Sequence, residues 1–500
     1  MDNFWDFKVW GLILIMAVLL ISVLIANMLK RRIPFLRKSL IPTSVLGGVI
    51  LLIISTVYTA CTGRYLFDEA IFGGNGVTTL EIIAYHMLAF GFIAQTLKNT
   101  SKKHTKERTK EIFDSGVTTV STYLLQAVFG FAITMIAALV MDDFFEAAGV
   151  LLPFGFGQGT GQALNYGNIY ETQYGFEGGK GFGLSIAALG FLSAAIGGVI
   201  HLNIMKKKGK LKIVEKKEES LTGEEVQGKG EIPMNGSVDK ITVQLAFILL
   251  SYVLAYLLMW GLGELLPGMK SVIYGFNFLL GVITALLVKV VLNFLNKKKI
   301  VKRQYTNNFL LTRIGNFCFD VMIVAGIAAI KLDTIKNYLG VLLILGVVGL
   351  VITYIYNRIV AKVLFKKYEN EQFLAMYGML TGTASTGIVL LREVDPKFET
   401  PASDNLVYQT LPAIVFGFPM MLLATLAPEK PLLTFGIMVA FFLVMNVILF
   451  RSKIFRRRKT VTPLESADGE TGEAVETLET ADGGEVGEAE SATQESGSTE

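Results

Sequence analysis

The sequence predicts an all-α polytopic membrane protein. About eleven transmembrane helices fall into two halves of inverted topology, each with a re-entrant loop. Three observations predict this. Of 500 residues, 52% are hydrophobic and only 18% charged, where a soluble domain carries roughly 25% charged residues; mean hydropathy is +0.52. Apolar runs long enough to cross about 30 Å of hydrocarbon recur along the chain. Two Gly/Thr-rich stretches, FGFGQGTGQALNYGNIYETQYG (154–175) and YGMLTGTASTGIVLLREVDPKFETP (377–401), interrupt that pattern where no full span fits.

The spans are expected near 9–29, 42–60, 81–98, 117–141, 183–205, 242–262, 271–295, 309–331, 337–362, 405–427 and 432–451. Basic loops follow every odd span: KRRIPFLRK, KNTSKKHTKERTK, KKKGKLK, NKKKIVKR, FKK and RSKIFRRRK. The intervening loops, such as MDDFFEAAG and GELLPGMK, are poor in Lys and Arg. Because Lys and Arg are retained on the cytoplasmic side, the N-terminus is expected outside and the C-terminus inside, in the cell inner (cytoplasmic) membrane. Asp2 and Asp6 stand where a cleavable signal peptide would carry basic residues.

The first Gly/Thr stretch is anchored outside and the second inside. Irregular backbone at membrane depth is tolerated only inside protein or beside water, so both read as re-entrant segments, about 153–176 and 376–396. An odd number of spans per half inverts the second half relative to the first. This gives an N-terminal half over 1–210, a cytoplasmic linker over 211–240, a C-terminal half over 241–428, an extra eleventh span over 429–455 and an acidic tail over 456–500. The tail is low in apolar residues and is expected to remain solvated. Paired halves with broken helices meeting at the midplane are the architecture of secondary transporters.

Several stretches carry a resemblance. IPTSVLGGVI (41–50), FGQGTGQALNYGNIYETQYGF (156–176), IGNFCFDVMIVAGIAAIKL (314–332) and MYGMLTGTASTGIVLLREVDP (376–396) resemble, in order, the bacterial sodium/glutamate symporters. The resemblance runs from about Ile33 to about Pro428. It implies a sodium-coupled uptake carrier for glutamate or a related acidic solute, with two opposed re-entrant loops. Two positions depart from the family pattern: Ser385 replaces a usual Pro, and Arg313 replaces an apolar residue. Family analogy alone suggests a homodimer.

The residues themselves suggest how such a site would work. Gly155, Gly157, Gly159 and Gly161 alternate around Thr160, so backbone groups can turn inward without a side chain in the way. Carbonyls and hydroxyls there are hard ligands for Na⁺, and amides at a half-helix N-terminus favour a carboxylate. Close helix packing by small residues is the competing reading. Thr381, Thr383, Ser385 and Thr386 repeat the hydroxyl-rich pattern; their competing role is bonding to their own helix backbone. Gly157, Gly159, Thr160, Gly161, Asn165, Thr383, Ser385 and Thr386 are the expected substrate contacts. Asn165 and Asn168 equally suit helix capping. Thr160, Thr381, Thr383, Asp320 and Asn316 are the expected sodium ligands. Asp320 is singled out by the cost of burying a carboxylate in a span, with Arg313 as the alternative partner. Arg392 is expected to snorkel to the interface; His86 and Gln95 are expected to bond between helices.

Other classes find little support. Three His, at 86, 104 and 201, are too scattered for a zinc site or a Ser–His–Asp triad. No GxxxxGK[ST] motif supports ATP-driven transport, and the basic loops obey topology rather than nucleic-acid binding. Cys61 and Cys318 form no metal motif. The expectation is therefore a carrier without enzymatic activity or organic cofactor, with Na⁺ as coupling ion and the bilayer and a small acidic solute as partners. A dicarboxylate or hydroxycarboxylate carrier, proton coupling through Asp320, and a membrane sensor or scaffold are the alternatives.

Overall fold

A computed structural model describes residues 3–38, 40–98, 105–209, 231, 238–267, 270–300, 303–395 and 399–454. The expected acidic tail and most of the linker lie outside the described residues. Among the described residues the fold is helical, with one isolated bridge between Glu231 and Gln304 and no strand.

The membrane-length helices are α1 (Phe7–Arg32), α2 (Thr43–Thr62), α3 (Gly76–Leu97), α4 (Lys106–Ala138), α6 (Gly179–Lys207), α7 (Lys240–Leu265), α8 (Asn277–Lys297), α9 (Asn308–Ala328), α10 (Leu339–Leu364) and α15 (Pro431–Ile454). Between them lie α5 (Leu151–Tyr174), α11 (Glu369–Leu380), α12 (Ala384–Arg392), α13 (Ala402–Tyr408) and α14 (Thr410–Leu426). Ten helices are long and apolar enough to span a bilayer, and the bent pair of α13 with α14 makes an eleventh. A 26-residue helix such as α1 is about 39 Å long, enough to cross the hydrocarbon with some tilt.

The ends are set by local chemistry. Thr105 caps α4 by accepting from the Arg108 amide, Asp239 caps α7 from Ile241, and Asn307 caps α9 from Leu310. The α2 C-terminus stops on Gly63 in the left-handed conformation. Helix α7 presents Leu245, Leu249, Val253, Leu257 and Trp260 outward, as lipid-facing residues would. The opposite pattern holds for α5 and α6, whose Phe154, Phe156, Tyr170, Phe182 and Phe191 are fully buried.

Three expected segments differ in detail. The stretch read as loose over 153–176 is helical from Leu151 to Tyr174, broken at a single residue, Gly159. The other glycines keep helical backbone and serve close packing instead. The expected seventh span over 271–295 is interrupted at Phe276, between Lys270–Gly275 and α8. The tenth bends by 52° between α13 and α14. Pro412 lies in the first turn of α14, where a missing amide costs nothing.

Candidate functional site

Helix α6 acts as a ruler for both Gly/Thr stretches. Along the first arm of α5, Gly155 lies against Ile186 and Ala187, and Phe156 against Gly190. Beyond the break the order reverses: Ala163 lies against Gly183, and Gly167 against Gly179. The two arms of α5 therefore run in opposite directions along α6, with Gly157–Thr160 as the turning point.

The second stretch approaches α6 from its other end. Phe373 stacks near His201, with ring centroids 4.3 Å apart. The Tyr377 hydroxyl donates to the Ser193 carbonyl at 2.8 Å. Thr381 then reaches Gly190. Helix α12 folds back on α11, with Gly378 packed against Gly387. Both tips thus arrive at Gly190, some 17 Å along α6 from Gly179. A Cβ on Gly190 would sit 2.7 Å from the Thr381 carbonyl oxygen and 3.1 Å from the Phe156 Cα. Only a residue without a side chain lets both tips close on one point.

The tips also touch each other. Gly159 has φ 77° and ψ −169°, a region essentially confined to glycine. A Cβ there would lie 3.1 Å from the Thr383 methyl and 3.8 Å from the Gly382 carbonyl oxygen. Four helix ends converge: the C-terminal ends at Gln158 and Leu380, and the N-terminal ends at Thr160 and Ala384. Helix ends leave backbone groups without intrahelical partners, carbonyls at one end and amides at the other. The junction therefore presents carbonyls for a cation and amides for an anion within one buried place.

Thr160 is fully buried, donates to the Met322 carbonyl of α9 at 3.2 Å and packs on Gly326. Thr381 donates to the Tyr377 carbonyl of its own helix at 2.6 Å, leaving its lone pairs as the groups free to act. The Thr383 and Thr386 hydroxyls lie 3.4 Å apart. The side chain of Ser385 lies outside the described residues. Gly157 is covered by the Tyr123 ring, whose hydroxyl donates to the Gly157 carbonyl at 3.0 Å. Gly161 packs on Leu88. Asn165 donates to the Gly275 carbonyl at 3.0 Å, satisfying the break before α8.

Asp320 stands on α9, two residues before Met322, the residue whose carbonyl accepts from Thr160. Asp320 is seven residues from Ile327 and on the same face, and Ile327 packs on Gly48 of α2. That face lies about 120° round α9 from Gly326, which meets Thr160. The carboxylate lies beside Ser44 of α2, on a different face of α9 from the one that meets Thr160. Among the described residues no ion pair joins Asp320 to Arg313, whose guanidinium lies over the Phe309 ring. His86 does bond between helices, to Tyr252 at 2.7 Å, and the Gln95 amide packs on Gly315.

The junction holds residues that sequence reasoning missed. Gln162 is 1% exposed, and neither side-chain atom has a protein partner; the Gln158 amide nitrogen is buried without one. Gln126 of α4 donates to the Leu380 carbonyl at 2.9 Å. Gln158 and Gln162 sit inside the quoted motif, so a buried amide beside the break was the available signal. Gly190, Gly326 and Met322 had none, because they lie in ordinary spans.

A family profile for sodium/glutamate symporters matches residues 10–400. The chain belongs to the sodium/glutamate symporter family. The match covers both Gly/Thr stretches and every element of the junction, from α3 through α12. It stops before α13, α14 and α15. No curated protein matches the chain significantly. Membership makes the protein a multi-pass member of a family of Na⁺-coupled transporters, consistent with its ten or eleven span-length helices.

Proposed function

We propose that the protein imports glutamate or a related acidic solute together with sodium, by alternating access at the junction of the two tips. The observation that carries this is the meeting of two oppositely directed broken segments at Gly190. The arms of α5, with α11 and α12, are the re-entrant loops of two inverted halves in this reading. The N-terminus lies outside, the C-terminus in the cytoplasm, and the membrane is the inner one.

The chemistry follows from the helix ends. Carbonyls at Gln158 and Leu380, with the lone pairs of Thr160, Thr381 and Thr383, offer neutral oxygen ligands for Na⁺. Amides at Thr160 and Ala384, with the Thr386 hydroxyl and Gln162 amide, offer donors for a carboxylate. Bound Na⁺ offsets the charge of the acidic solute, so each ligand raises the affinity for the other. Rocking of one half against the other then opens the junction to alternate sides. Net inward positive charge would add about 2.3 kcal/mol per charge per 100 mV of membrane potential.

The test is uptake of labelled glutamate into proteoliposomes under an inward sodium gradient, compared with an equal potassium gradient. Uptake that requires sodium supports the reading. Equal accumulation under both gradients refutes sodium coupling. No glutamate uptake beside sodium-driven uptake of a dicarboxylate would replace the substrate.

A further inference from the structure

Beside the junction, α4 and α10 share a group of buried polar side chains that adjoins the second tip through Gln126 and the Leu380 carbonyl. Gln126 is fully buried, and its Nε2 donates to the Thr353 hydroxyl at 2.8 Å and the Leu380 carbonyl at 2.9 Å. Asn357 is 2% exposed, and its Nδ2 donates to the Thr353 carbonyl at 3.0 Å and the Thr122 hydroxyl at 3.4 Å. Both amides face a backbone carbonyl, which can only accept. A flip would put oxygen against oxygen, so the orientation of each amide is fixed. The remaining atoms, Gln126 Oε1 and Asn357 Oδ1, have no protein partner.

A buried acceptor without a donor is costly, and here two occur one helical turn from each other across one interface. Thr122 and Gln126 are four residues apart on α4; Thr353 and Asn357 are four apart on α10. The four side chains therefore cluster across the α4–α10 interface, linked by the Gln126–Thr353 and Asn357–Thr122 hydrogen bonds, with the two amide oxygens as the acceptors left over. No carboxylate, Lys or Arg is among them, so a divalent ion would find too little charge. The group lies against the C-terminal end of α11 at Leu380, where the helix dipole favours positive charge.

We propose that Thr122, Gln126, Thr353 and Asn357 form a second monovalent cation site, occupied by Na⁺, adjoining the tips but built from side-chain oxygens of α4 and α10. The proposal rests on the sodium-coupled reading above and deepens it by giving the carrier a second coupling ion. One Na⁺ with one monoanionic solute moves no net charge; a second makes transport respond to membrane potential.

The test uses the full chain in proteoliposomes and in detergent. Uptake is measured against NaCl at constant ionic strength with KCl, and thermal melting is compared in the two salts. Asn357→Leu deletes one orphan oxygen; Thr122→Val deletes a hydroxyl with little change of shape and serves if the first variant does not fold. Loss of one ligand is expected to raise the sodium half-saturation about tenfold. It should also lower the Hill coefficient for sodium and shrink the melting shift between NaCl and KCl. A folded variant with wild-type values for all three overturns the proposal and leaves a structural water there, while sodium coupling stands. Wild-type protein with no sodium dependence overturns the coupling itself and this site with it.

Discussion

Replacing Gly159 by Ala tests the junction most directly. The φ of 77° with ψ −169° is open to glycine and costs another residue about 1–3 kcal/mol. The new methyl would also meet the Thr383 methyl at 3.1 Å and the Met322 terminal methyl at 3.6 Å. The first distance is tighter than ordinary van der Waals contact, so one tip must move away from the other. At 1.4 kcal/mol per factor of ten, the backbone term alone predicts a fall in uptake between about fivefold and 150-fold. The cost falls on the closed junction and not on insertion, since both arms remain helical on either side. The assay is sodium-driven glutamate uptake, normalised to folded protein by size-exclusion and melting profiles. Gly159→Val should abolish uptake while still inserting. Wild-type uptake by a well-folded Gly159→Ala protein would show that the break is not at the transport site.

Further outcomes are expected. Gly190→Ala should lose most uptake, because its methyl meets backbone from both tips and neither can rotate away; unchanged uptake would dissociate the tips from α6. Asp320→Asn should change the sodium half-saturation less than about twofold, as its face meets α2 rather than the tips; a large rise would return Asp320 to the sodium path. Arg451→Ala should lower stability by about 1–3 kcal/mol, since Arg451 of α15 donates to the nearly buried Asp114 of α4 at 2.8 Å; an unshifted melting temperature would make α15 an independent appendage. Tyr65, in the loop after α2, donates to Asp333, and partial burial together with that carboxylate holds its phenol up to about 12. The contact is complete below the ordinary pKa of 10 and is lost as pH rises through the folded value. Tyr65→Phe should therefore flatten the alkaline fall in melting temperature, and an unaltered profile would exclude the contact.

Hydropathy alone located the ten or eleven span-length helices, because a bilayer admits few solutions: long apolar helices that satisfy their own backbone. The two Gly/Thr stretches were equally legible, since polar, glycine-rich sequence between spans has few physical uses. Within them composition could not rank the residues. Gly155, Gly157, Gly159 and Gly161 look alike in sequence, yet only Gly159 needs its positive φ, while the others admit Ile186, Tyr123 and Leu88. Backbone conformation and neighbouring helices made that distinction.

Asp320 shows the other limit. Its depth in a span was readable, but the face it occupies depends on how α9 rolls between α2 and α5. The convergence at Gly190 was likewise beyond the sequence, because it joins residues 156, 190 and 381 from three segments. So was the cluster of Thr122, Gln126, Thr353 and Asn357, whose members are ordinary polar residues in two distant spans. The sequence by itself determined which segments form span-length apolar helices and where the two Gly/Thr stretches interrupt them, since those follow from local hydropathy and backbone freedom. Only the tertiary structure decided where the breaks meet and which oxygens remain without partners, since both depend on packing between segments far apart in the chain.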